Sequence, residues 1–110
     1  MAAKFTSVDA KTAKVISDSG ARIIDVRPEA EWSAGHVEGS DRVDPGRLGA
    51  QSIGRADAII VVCRNGSKSK KAAKKLAKEG YRVYHLKGGL EAWHDLGLSL
   101  ASTNGARATV

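Results

Sequence analysis

Residues Ala58-Ile59-Ile60-Val61-Val62 form an unbroken apolar run that ends on the chain's only cysteine, Cys63. Four of the five are β-branched, and no polar residue alternates with them. Such a run fits a strand covered on both faces, and strands of that kind belong to parallel sheets flanked by helices. This one segment therefore directs the chain toward an α/β architecture. Arg64-Asn65-Gly66-Ser67-Lys68-Ser69 follows as a short loop that leads into a helix over residues 67–79, ended by Gly80. The strand carries Cys63 to the end of the sheet, and the positive N-terminal end of the helix faces it. Those surroundings hold a thiolate, the form that attacks. A lone cysteine can equally be a small buried hydrophobe. The strand–loop–helix setting argues for the reactive reading.

The remaining elements alternate in the same way. Thr6 and Asp9 have capping-box spacing ahead of small and apolar positions at Val8, Ala13, Val15 and Ile16, which predicts a helix over 7–18 ended by Gly20. Residues 21–26 read as a strand stopped by Pro28. One or two helical turns over 29–34 end at Gly35, a weak strand lies around Arg42-Val43, and a short helix covers 47–52. Residues 82–86 form another strand, Gly88-Gly89 turns the chain, and a last helix runs over 90–96 to Gly97. The polar stretch 101–110 is expected to fray. We therefore expect a mainly parallel central sheet of four to five strands with helices on both faces, as one domain over 1–100 with a C-terminal tail over 101–110. In open α/β sheets the functional crevice lies beyond the carboxyl ends of the strands. Asp25-Val26-Arg27, Cys63 and Lys87-Gly88-Gly89 all fall at such ends.

A chain of 110 residues that is 42% hydrophobic can bury one modest core without disulfides. One cysteine permits no internal disulfide, which suits a reducing compartment. Met1-Ala2-Ala3-Lys4-Phe5-Thr6 leads into polar residues rather than an apolar signal segment, and the run ending at Cys63 is too short to span a bilayer. The expectation is a cytoplasmic protein without a membrane segment. The net charge of +6 has a local source: Lys68, Lys70, Lys71, Lys74, Lys75 and Lys78 fall within eleven residues. Ser69, Ala72, Ala73, Leu76 and Ala77 share the opposite face of that helix, so the lysines describe a solvated face. With no interleaved aromatic residues and no binding motif, nucleic acid is not expected as a partner.

Four stretches, in order, carry a resemblance to the rhodanese-type sulfurtransferase domains, covering roughly residues 4–100. They are Ile23-Ile24-Asp25-Val26-Arg27-Pro28 with Glu29, Glu31 and Trp32; Gly35-His36-Val37-Glu38-Gly39-Ser40; Cys63-Arg64-Asn65-Gly66-Ser67-Lys68-Ser69; and Leu86-Lys87-Gly88-Gly89-Leu90-Glu91-Ala92-Trp93. The resemblance implies the family's three-layer rhodanese-like fold. It also implies that Cys63 takes a sulfane sulfur from a small anionic donor such as thiosulfate and hands it, as a persulfide, to cyanide or a thiol. In that reading Arg64, Asn65, Gly66, Ser67, Lys68 and Ser69 form the substrate loop, whose N–H groups nest the sulfur. Arg64 and Lys68 are placed to meet a sulfonate, and Lys68 stands where the family often has arginine. The family's cysteine-dependent phosphatase cousins need five residues between cysteine and arginine. Here four residues separate Cys63 from Lys68, and position 69 is serine.

Other residues have quieter readings. Asp25 and Arg27 read as structural support at a strand end, with Arg27 pairing to Asp25 or Glu31. His36 is architectural in the family. His85 and His94 lack Cys or His partners at ligand spacing, so no metal and no cofactor is expected. Trp32 and Trp93 are packing residues, and Gly88-Gly89 serves a close backbone approach. Asp41-Arg42-Val43-Asp44 is more charged than the family's apolar strand at this point, and Leu98-Ser99-Leu100 lacks the family's usual proline. An alternative function keeps the same thiol but makes the chain a persulfide carrier. It would exchange sulfur with a protein donor or acceptor and dock an acidic partner on the lysine helix. A third reading makes the chain a domain of a longer protein, with the stretch from Ala101 as a linker.

Overall fold

A computed structural model describes residues 4–110. Met1-Ala2-Ala3, the start of the segment read above as lacking a signal, lie outside the described residues. Five parallel strands make up one sheet among the described residues: β1 (Thr6–Val8), β2 (Arg22–Asp25), β3 (Asp41–Arg42), β4 (Ile59–Val62) and β5 (Val83–Leu86), in the order β1-β5-β4-β2-β3. The helices are α1 (Ala10–Asp18), α2 (Glu29–Ala34), α3 (Ala50–Ile53), α4 (Ser67–Lys78) and α5 (Gly89–Asp95), with a 3-10 turn at Pro45–Arg47. The expected α/β sandwich is present.

The alternation of side chains along β4 builds both layers. Ile59 and Val61 face Ala72, Ala73, Leu76 and Ala77 of α4, together with Ile53 of α3. Ile60 and Val62 face Ala10 and Ala13 of α1 and Leu90 and Trp93 of α5. All four β4 residues are enclosed, as an apolar run without alternation requires.

Three departures from the sequence reading have physical causes. The helix expected from residue 7 starts at Ala10, and Thr6–Val8 form β1 instead, paired with Tyr84, His85 and Leu86 of β5. Asp9 alone caps α1, its carboxylate accepting from the Thr12 N–H at 2.8 Å. Backbone pairing with β5 draws the three preceding residues out of the helix. Second, β3 is two residues long at the sheet edge, where charge is tolerated because one side is wet. Its Asp41 meets Arg22 at 2.8 Å and its Arg42 meets Asp44 at 2.7 Å. Third, the stretch expected to fray is tied down. Ala101 and His36 exchange backbone hydrogen bonds at 2.8 and 2.9 Å, Thr103 N–H donates to the Ser33 carbonyl, and Thr109 N–H donates to the Ala34 carbonyl. The tail thus takes up carbonyls that the end of α2 leaves without partners in its own helix.

Candidate active site

The strand order reverses between β4 and β2: β2 is followed outward by β3, whereas β4 is followed in the other direction by β5. That reversal opens a crevice beyond the strand ends, the usual ligand site of such sheets. A cleft of about 220 Å³ lies there, lined by Arg27, Pro28 and Glu31 after β2, and by Cys63, Arg64, Asn65, Ser67 and Lys68 after β4. It is smaller than the roughly 300–1,000 Å³ of most small-molecule pockets, a size for a donor of a few heavy atoms.

Cys63 is the free thiol at the base of the loop, 2% exposed. Its Sγ accepts the Gly66 N–H at 3.1 Å and the Ser69 N–H at 3.3 Å, and lies 3.2 Å from Ser69 Oγ. Gly66 is the N-cap of α4 and has no side chain to cap it, while Ser69 is the third residue of the helix. The sulfur therefore does the work of a capping side chain. It satisfies an orphan N–H of the first turn at the positive end of the helix dipole. Gly66 reaches this geometry with φ of 96°, which a side chain disfavours. Of the loop N–H groups expected to nest the sulfur, those of Gly66 and Ser69 bond Sγ, whereas that of Ser67 is taken by Asn65 Oδ1 at 3.0 Å.

The loop carbonyls are held away from the sulfur by α5. Leu90 N–H donates to the Cys63 carbonyl at 2.8 Å and Glu91 N–H to the Arg64 carbonyl at 2.9 Å. This grip needs Gly89, where a Cβ would lie 2.6 Å from the Cys63 carbonyl oxygen. The close backbone approach expected of Gly88-Gly89 is this contact.

Asp25 and Arg27 form a buried pair. The Arg27 Nε–H donates to both carboxylate oxygens of Asp25 at 3.0 and 3.1 Å, and its Nη2 donates at 2.8 Å and also reaches the Gly35 carbonyl at 2.5 Å. Nε and Nη2 of the guanidinium are thus engaged, and Arg27 forms part of the cleft wall. Arg64, by contrast, makes only a loose, exposed contact with Glu91 at 3.4 Å, and Lys68 is exposed at the rim. His36 stacks on Trp32 with ring centroids 3.8 Å apart and bonds the Trp32 carbonyl through Nδ1; it does not line the cleft. Trp93 is core, its indole N–H donating to the Ser99 carbonyl at 3.1 Å.

Two cleft residues were not singled out as site residues from the sequence, Pro28 and Glu31. Both follow the Asp25-Val26-Arg27 strand end, so their position beyond a strand terminus was the available signal. His85 was also missed. Its Nε2 lies 2.6 Å from the Gly66 carbonyl oxygen, directly behind the loop.

A parallel five-stranded sheet with a cysteine loop at its switch point defines the architecture, and the family follows. The Rhodanese-like domain family matches residues 9–96, and the chain belongs to that family. It is 34% identical over 94 residues to the thiosulfate sulfurtransferase GlpE of Pseudomonas fluorescens, covering 82% of this chain and 85% of that protein. Among solved structures it resembles the rhodanese-like domain of the Anabaena protein Alr3790, with a TM-score of 0.79 at 26% identity, over 97% of this chain and 86% of that one. The fold is also that of the BH2092 protein of Bacillus halodurans, with a TM-score of 0.80 at 24% identity, over 94% of this chain and 82% of that one.

Proposed function

We propose that this chain is a sulfurtransferase that moves a sulfane sulfur from thiosulfate or a similar anionic donor to a thiophilic acceptor through a persulfide on Cys63. The observation that carries the reading is the sulfur at the helix N-terminus, receiving two N–H bonds at the floor of a small cleft. In the first half-reaction the Cys63 thiolate attacks the outer sulfur of thiosulfate. The donor's S–S bond breaks and sulfite leaves with the electron pair, so Cys63 holds a terminal S–S⁻ group. In the second, cyanide or a thiolate attacks that terminal sulfur, the bond to Sγ breaks, and the electron pair returns Cys63 to the thiolate. No general base is required while the thiolate persists. Arg64 and Lys68 are the exposed cations of the cleft and meet the donor's oxygens. Family membership and relatives named as thiosulfate sulfurtransferases support this reading.

The serine at position 69 speaks against phosphoryl transfer. It is fully buried and offers a neutral hydroxyl where a cysteine-dependent phosphatase would present a guanidinium. The decisive experiment is incubation with thiosulfate followed by intact mass. We expect one added sulfur atom with thiosulfate alone and steady sulfite release once cyanide is supplied as acceptor, with both abolished in Cys63→Ser. Sustained turnover in the serine variant would sink the mechanism. Parallel assays with 3-mercaptopyruvate should favour thiosulfate, since Arg64 and Lys68 suit a sulfonate-like group.

One observation favours the second reading, a persulfide carrier. A groove of about 600 Å³ runs beside the cleft, lined by Lys4, Phe5, Ser67, Lys70, Lys71 and Lys74, and Ser67 borders both. Among the described residues no α4 lysine is in an ion pair. An acidic protein partner docked there would sit next to Cys63. Slow thiosulfate turnover with rapid persulfide exchange from a protein donor would favour this reading. No helix among the described residues is long and apolar enough to cross a membrane, and a cytoplasmic location remains our proposal.

A further inference from the structure

His85 is buried, lies on the central part of the sheet, and has no part in the sulfur chemistry described above. Its ring is held from three sides. Nε2 is 2.6 Å from the Gly66 carbonyl oxygen, Nδ1 is 3.0 Å from Ser7 Oγ on the neighbouring β1, and Phe5 packs edge-on with centroids 6.0 Å apart. A carbonyl oxygen only accepts, so the geometry assigns a proton to Nε2, and in the neutral ring Nδ1 accepts from the Ser7 hydroxyl.

Gly66 is the residue His85 grips, and it is also a residue that donates its N–H to the Cys63 sulfur. Its carbonyl lies in the peptide plane it shares with the Ser67 N–H, so the histidine restrains one of the two peptide planes that meet at the Gly66 α-carbon. The Ser69 hydroxyl adds a second reason. It lies 3.3 Å from the Gly66 carbonyl oxygen and 3.2 Å from Sγ, and it has one hydrogen to give. With Cys63 protonated, the thiol donates to Ser69 Oγ and the hydroxyl donates to Gly66. With Cys63 charged, the sulfur can only accept, and the hydroxyl must turn to it. The buried Gly66 carbonyl would then lose a partner, at the cost of an unsatisfied acceptor, unless another donor remains. His85 is that donor.

We propose that His85 is a positioning residue of the sulfur loop: its Nε2–H holds the Gly66 carbonyl and thereby frees the Ser69 hydroxyl for the charged Cys63 sulfur. The role in turnover rests on the sulfurtransferase reading, whereas its effect on the thiol itself does not.

The test compares wild type, His85→Leu and His85→Gln, each checked for folding by thermal melting. The first readout is the rate of Cys63 alkylation by iodoacetamide at pH 7. The leucine removes the donor and should slow alkylation roughly 3- to 10-fold, the worth of one neutral hydrogen bond. The glutamine amide can reach the same carbonyl and should stay within about twofold of wild type. With thiosulfate, kcat should fall in the leucine variant by a similar factor while KM holds. A folded leucine variant that alkylates like wild type overturns the proposal, as does a glutamine variant as slow as leucine. Should the leucine variant not fold, nitrogen chemical shifts of the wild-type ring decide: a proton on Nε2 supports the assignment, and an unprotonated Nε2 overturns it. A wild type that ignores thiosulfate would defeat the sulfurtransferase reading and leave the alkylation comparison intact.

Discussion

Asp25 is completely enclosed and still finds a partner for each of its oxygens in one guanidinium two residues away. Arg27 Nη2 also reaches the Gly35 carbonyl, which ties the guanidinium to the end of α2. Removing one member of such a pair leaves the other as an uncompensated buried charge, so Asp25→Ala should destabilise the fold by about 3–5 kcal/mol. Urea midpoints would check this, and a loss near zero would show that the pair is not buried in solution. The exposed cations behave differently. Arg64→Ala and Lys68→Ala should each raise KM for thiosulfate only roughly 2- to 5-fold with kcat nearly unchanged, because solvent screens them. The Asp25–Arg27 pairing was legible in the sequence because both residues sit at one strand end, two positions apart. The His85 contacts were not, because Ser7 and Gly66 lie 78 and 19 residues away along the chain.

At the scale of elements, two helix N-termini meet at one loop. The first turn of α4 donates to the Cys63 sulfur, and the first turn of α5 donates to the carbonyls of Cys63 and Arg64. The Gly66 and Ser69 N–H groups thereby face the sulfur, while the Cys63 and Arg64 carbonyls face α5. Gly89→Ala would push α5 off the Cys63 carbonyl, and a displacement of about 1 Å costs on the order of 100-fold in turnover. A folded alanine variant with wild-type turnover would refute the grip. Elsewhere, the Asp9 carboxyl is held below its ordinary value first by the Thr12 backbone N–H that it caps. Its folded value is depressed, so the cap's contribution is present above pH 3.8 and is lost as pH falls through the lower folded value. Asp9→Asn keeps a capping oxygen without the charge, so its melting temperature should fall less steeply with acid below pH 3.8 than that of wild type. Equal slopes would show that the cap does not depend on ionisation. The start of α1 was misplaced by three residues in the sequence because the capping signal is local, whereas the pairing that claims Thr6–Val8 comes from β5.

The whole molecule places the site by its strand order. Two loops far apart in sequence, after β2 and after β4, come together because the sheet reverses between these strands. The tail closes the same side of the fold by bonding to Ser33, Ala34 and His36, next to the Gly35 carbonyl that Arg27 holds. Deleting residues 101–110 removes four backbone hydrogen bonds and should lower stability by roughly 2–4 kcal/mol, read by urea denaturation. An unchanged midpoint would mean that the tail contributes nothing in solution.

The sequence by itself determined the α/β class, the central strand, the lysine-faced helix and the place of Cys63 at the end of that strand. Those follow from short-range patterns: an apolar run, a glycine loop and a 3.6-residue period. Only the tertiary structure decided that Thr6–Val8 join the sheet, that the tail binds α2, that Glu31 borders the cleft and that His85 stands behind Gly66. Each of these depends on which distant backbone finds an unpaired partner. Hydrogen-bond satisfaction settles that across the whole fold, and no local pattern records it.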